Sequence, residues 1–203
     1  TTLSQTLGST ISNLCTDPSE STLLAARDAW WATRKPWKKS EVINFGPIAE
    51  YPLRLGPKLD SWPVNEEAVE DLINDTDRLT QEIFSALGGA TRGLSVVEYL
   101  LWHGEEDRSA LDRLTADPYR CIILSYASTD VIFNTNLLEE TWRNEWLTLV
   151  NSVEPSESKF LDEEAVISEW VNRMAFTIEN IRINKFEKPL GNLSPEDVRP
   201  DII

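Results

Sequence analysis

Apolar residues in this chain recur at three- and four-residue steps, the spacing of one face of an α-helix, and no segment alternates as a strand would. Leu23, Ala26 and Trp30 share one such face. That helix must kink or end at Pro36, because proline lacks the amide donor and its ring clashes with the preceding turn. Ala68, Leu72, Leu79, Ile83 and Leu87 predict another helix, preceded by Pro63 and Asn65 and stopped by Gly88-Gly89. Glu66 and Glu67 load its first turn, where acidic groups favour the helix dipole. Asp117-Pro118 is a start signal, a capping carboxylate followed by proline at the first helical position. From there Cys121, Leu124, Ser125, Ser128, Ile132, Thr135, Leu138, Trp142 and Leu149 trace a helix to about residue 152, and Glu154–Ser158 forms a turn. Asp162 caps a last helix with Ile167, Trp170, Met174, Ile178 and Ile181 inside, and Pro189 and Gly191 end it.

Residues 42–63 break the helical pattern with Gly46, Pro47, Pro52, Gly56, Pro57 and Pro63. A loop of that length in a compact domain is usually functional or packed by its own side chains. Phe45, Ile48, Tyr51, Leu53, Leu55 and Trp62 supply such packing, so an ordered Pro/Gly-rich excursion is expected. The expected fold is all-α: antiparallel helical bundles in one domain over 1–203, with the core on the 68–87, 118–152 and 163–187 helices.

Charge narrows the function. Thirty-four acids against nineteen Lys and Arg give the 203 residues a net charge of -15. Such a surface repels phosphate backbones and excludes nucleic acid as an expected partner. It also disfavours anionic lipid and favours cationic partners or metal ions, although solubility is the simpler use of acidity. No apolar run approaches the roughly twenty residues that span a bilayer. Thr1–Gln5 reads as a mature or trimmed terminus, with no basic leader before an apolar stretch. Cys15 and Cys121 have neither metal-ligand spacing nor a Cys-x-x-Cys arrangement. The economical reading is one disulfide, tying the first helix to the long central one, with two separate buried thiols as the alternative.

Candidate chemistry is sparse. Ser95-Val96-Val97-Glu98 reads as a capping box opening the run Tyr99–Trp102. His103 is the sole histidine, and its five-residue offset from Glu98 is about 500° around a helix, so they occupy different faces. A multi-histidine metal site cannot be built from it. Glu105, Glu106 and Asp107 beside it are either a surface cation patch or a solvated loop. Nucleophile elbows, His-Glu-x-x-His and phosphate or dinucleotide loops are missing. The eight tryptophans read as core anchors, with Trp62 and Trp102 the expected exceptions.

Several segments together carry a family resemblance. Arg92-Gly93-Leu94-Ser95-Val96-Val97-Glu98-Tyr99-Leu100-Leu101-Trp102 resembles the imelysin signature, Gly-x-His-x-x-Glu followed by Tyr-Leu-Leu-Trp, with Ser95 at the histidine position. Ala29-Trp30 through Arg34, Trp37 and Ser40-Glu41 resembles a second family pattern, continued by Phe45-Gly46-Pro47 and Ser61-Trp62-Pro63-Val64. Arg120–Leu124 and Lys188-Pro189-Leu190-Gly191 are similar to further family segments. The resemblance implies a bacterial envelope protein, periplasmic or held on the outer membrane by a lipid anchor outside this chain, and associated with iron or other metal uptake. It implies a site at Gly93, Ser95, Glu98 and Trp102, with Phe45, Gly46, Pro47 and Trp62 framing a cleft between bundles. Glu98 would be the metal ligand, for iron or another divalent metal. A serine hydroxyl is a poor ligand for a transition metal, so a non-catalytic protein is expected. The alternatives are an imelysin-type metallopeptidase whose ligands are completed by C-terminal helices, and an interaction scaffold with a filled cleft. Imelysins usually continue through further helices after Pro-Leu-Gly. The resemblance therefore implies the larger, N-terminal part of the fold, with an apolar face left for a C-terminal fragment or a second copy to cover.

Overall fold

The computed structural model describes residues 2–75, 79–103, 109–146, 162–187 and 190, with no strand among them. The chain opens as a hairpin of α1 (Thr2–Thr16) and α2 (Glu20–Ser40). Ser19 starts α2 by accepting the Thr22 amide, while the Thr22 hydroxyl accepts the Ser19 amide in return. Such a reciprocal cap satisfies two amides that the first turn would otherwise leave bare. Leu7, Ile11 and Leu14 line the inner face of α1, and Leu23, Ala26, Trp30, Thr33 and Trp37 that of α2, at helical spacing. Pro36 does not end α2, which runs a further turn to Ser40. Ala32, whose carbonyl loses its donor to Pro36, lies on the exposed face, where water can serve it.

Two more helices close the bundle: α6 (Gly93–Trp102) and α8 (Pro118–Thr141), each packed on the other, with α2 against α6 and α1 against α8. Side-chain contacts give the directions. The Ser4 and Thr135 hydroxyls meet at one end of the α1–α8 pair, and Cys15 and Cys121 at the other, so these helices are antiparallel. Trp30 reaches the Leu94 carbonyl and Arg27 the Leu101 carbonyl, which makes α2 and α6 antiparallel too. Asp117 caps α8 by accepting the Tyr119 amide, with Pro118 at the first position as expected. The Cys15–Cys121 disulfide staples α1 to α8 across a sequence separation of 106. Closing a loop of that size stabilises the fold by about 4 to 5 kcal/mol in the chain-entropy model.

Shorter helices pack around this core: α3 (Leu55–Leu59), α4 (Glu66–Asn74), α5 (Gln81–Ser85) and α7 (Ala110–Ala116). The excursion is ordered, with 3-10 turns at Glu41–Ile43 and Gly46–Ile48 ahead of α3. Phe45, Ile48 and Leu55 are buried in it, but Tyr51 is 88% exposed and supplies no packing.

Three expectations are corrected. The single helix expected over 68–87 is two, α4 and α5, with Leu79 and Thr80 outside both. Thr80 caps α5 by accepting the Ile83 amide, and a cap cannot sit inside a continuous helix. The buried positions are accordingly Val69, Ile73 and Phe84, while Ile83 is half exposed. The last helix forms as α9 (Glu163–Asn180), capped by Asp162 and continued as a π-helical stretch over Ile181–Glu187. It buries no residue, so Ile167, Trp170, Met174, Ile178 and Ile181 are not a core face. The core is built on α1, α2, α6 and α8, the last of them the expected 118–152 helix, with Val69 and Ile73 of α4 and Phe84 of α5 joining it. After α8 the chain is π-helical over Trp142–Trp146; Leu149, the Glu154–Ser158 turn, Pro189 and Gly191 lie outside the described residues.

Candidate functional site

The signature segment forms α6 and meets the end of the excursion at its first turn. Gly93 has φ +74°, and a Cβ there would lie 2.6 Å from the Leu59 and Lys58 carbonyl oxygens. Only glycine allows both that backbone angle and that approach. Arg92 is the N-cap, which places Ser95 inside the first turn and not at its cap, so the expected capping box is absent. The Ser95 hydroxyl instead donates to Asp60 Oδ1 at 3.1 Å, and Ser95 is 2% exposed.

Asp60 is the centre of this junction. Its side chain is fully buried and accepts from Arg34 Nε at 3.2 Å and Lys38 Nζ at 2.8 Å. Lys38 also reaches Glu41 at 2.8 Å. Burial pushes the Asp60 carboxyl up, but Lys38 and Arg34 outweigh it and hold the pKa below the usual carboxylate value. Burial likewise opposes the Lys38 ammonium, and Asp60 and Glu41 raise it above the ordinary lysine value. The cluster is a neutralised, hydrogen-bonded knot that joins α2, the excursion and α6.

A second cluster sits at the other end of α6. Tyr99 donates to Glu70 Oε1 at 2.6 Å, Arg113 to the same oxygen at 3.1 Å, and Arg120 to both Glu70 oxygens. Burial raises the Glu70 carboxyl, yet bonds from Arg120 and Tyr99 bring its pKa below the ordinary value. Burial, reinforced by Glu70, pushes Tyr99 up to about 12. A third pair, Arg92 with Asp130, is buried and bidentate, and Arg92 also donates to the Ser85 carbonyl.

The remaining candidates are dispersed. Glu98 is half-buried one turn after Ser95. Trp102, 36% exposed, meets Trp30 edge-on at 5.0 Å under the Arg27 guanidinium. Trp62 is 42% exposed and, with Pro63, Asn65, Glu66 and Ala90, lines a surface depression of about 640 Å³. Phe45 belongs to a separate small cluster with Ile43, Trp142, Ala165 and Val166. Gly46 takes φ +69° at the start of its 3-10 turn; the Pro47 side chain and Glu105–Asp107 lie outside what is described. His103 ends α6, its ring against Tyr99 at 4.6 Å. Gly93 and Ser95 thus meet the Lys58–Asp60 end of the excursion, whereas Phe45 packs elsewhere.

Periodicity did not single out Asp60, Glu70 or Asp130. Arg34 was visible only as part of a motif, and Lys38, one helical turn on, falls at an unspecified position between Trp37 and Ser40. Among the described residues, no three His, Cys, Asp or Glu side chains gather closely enough to hold a metal ion. The donor set at the signature does not fit a divalent metal: Ser95 is a weak ligand, and Arg34 and Lys38 already neutralise Asp60.

The fold is thus an antiparallel bundle built around one nearly buried helix, clasped at a glycine by a proline-rich excursion. The imelysin family model (peptidase M75) matches residues 1–200, and the chain belongs to that family. An imelysin-like protein from Psychrobacter arcticum shares the fold, with TM-score 0.75 and 21% identity, over 94% of this chain and 57% of that one. A protein described as an iron-regulated protein A precursor, from Parabacteroides distasonis, matches with TM-score 0.59 and 26% identity, over 70% of this chain and 39% of that one. The chain therefore spans less than two thirds of either solved relative. No curated protein matches it.

Proposed function

We propose that this protein is a non-catalytic member of the bacterial envelope imelysins, serving iron or other metal uptake without hydrolysing a substrate. One observation carries the reading. The residue at the signature histidine position is a serine, and its hydroxyl is spent on a carboxylate that two cations already neutralise. Zinc hydrolysis needs three protein ligands, an open position for water and a base active near neutral pH. The iron link and the envelope location rest on family membership and on the iron-regulated description of the Parabacteroides relative.

Cleavage of an unfolded protein substrate, with and without chelator, tests the reading. No chelator-sensitive cleavage is expected, and its appearance would favour the metallopeptidase alternative. Calorimetric titration of Fe(II) and Zn(II) into Ser95→His separates a degenerate metal site from a pure scaffold. A gain of affinity that Glu98→Ala then abolishes supports a lost metal site, whereas no gain leaves the segment structural.

A further inference from the structure

We draw no further inference here: the strongest candidate, the apolar cleft lined by Leu3, Trp37, Leu138 and Trp142 where α1, α2 and α8 meet, carries nothing, because the unpartnered Trp37 indole N–H beside it is sealed from solvent and so out of a ligand's reach, and nothing in the structure shows what fills the cleft.

Discussion

α6 has one charged residue in ten and α9 five in eighteen, and the two helices end in opposite environments. Eight of the ten residues of α6 are buried, whereas α9 buries none of its eighteen. Both contain enough apolar residues to drive packing. Neighbours add to the difference: among the described residues α6 has α2 and α8 along its sides and the excursion across its first turn, while α9 has chiefly one 3-10 turn. Apolar spacing states what a helix can bury, and the surrounding chain decides whether it does.

The sharpest tests of this contrast strike the core. Reducing the Cys15–Cys121 disulfide should cost about 4 to 5 kcal/mol, read as a lower denaturation midpoint in urea. An unchanged midpoint would mean that the bundle holds α1 without its staple. Asp130→Ala should follow at about 3–5 kcal/mol, because it strands the Arg92 guanidinium in a site with almost no solvent contact.

The direct comparison pairs Leu101→Ala with Ile167→Ala. The first empties a fully buried site on α6 and should cost about 2–5 kcal/mol. The second trims an exposed side chain and should stay within about 0.5 kcal/mol. Equal losses would break the contrast, since they would show α9 packed within a single copy.

Smaller effects come from pH. The folded pKa of Tyr99, pushed up to about 12, exceeds its unfolded value of about 10. Its contribution is complete below pH 10, falls as pH rises towards 12, and should be missing from the alkaline limb of Tyr99→Phe. Asp60 and Glu70 have lowered values and act in the opposite sense. Their stabilisation is present above the ordinary carboxylate range and lost as pH falls through the folded values, so Glu70→Gln should flatten the acid limb. A Tyr99→Phe curve that overlays the parent in alkali would remove the Tyr99–Glu70 bond from the account.

Much of the fold was legible because its signals are local. The Asp117-Pro118 start, the Asp162 cap and the face of Leu23, Ala26 and Trp30 need only neighbours along the chain. The break between α4 and α5 was not legible, because Leu72 to Leu79 is seven residues and keeps helical phase across a gap. Residues of the site were legible only in part. Gly93 and Ser95 stand in a recognisable motif, but the partner that defines Ser95, Asp60, lies thirty-five residues earlier and is brought to it by tertiary packing. Ser95-x-x-Glu98 fits a capping box in sequence; the backbone turn at Gly93 starts the helix earlier and gives the serine another task.

The pairing of α1 with α8 also sets a clock. The first helix leaves the ribosome 106 positions before the cysteine that will hold it, about 5 to 20 s earlier at ordinary synthesis rates. Through that interval Leu7, Ile11 and Leu14 have α2 on one side and nothing yet to cover the other. Until α8 has been made that face of the α1–α2 hairpin stays bare, and Cys15 has no native partner with which to be oxidised.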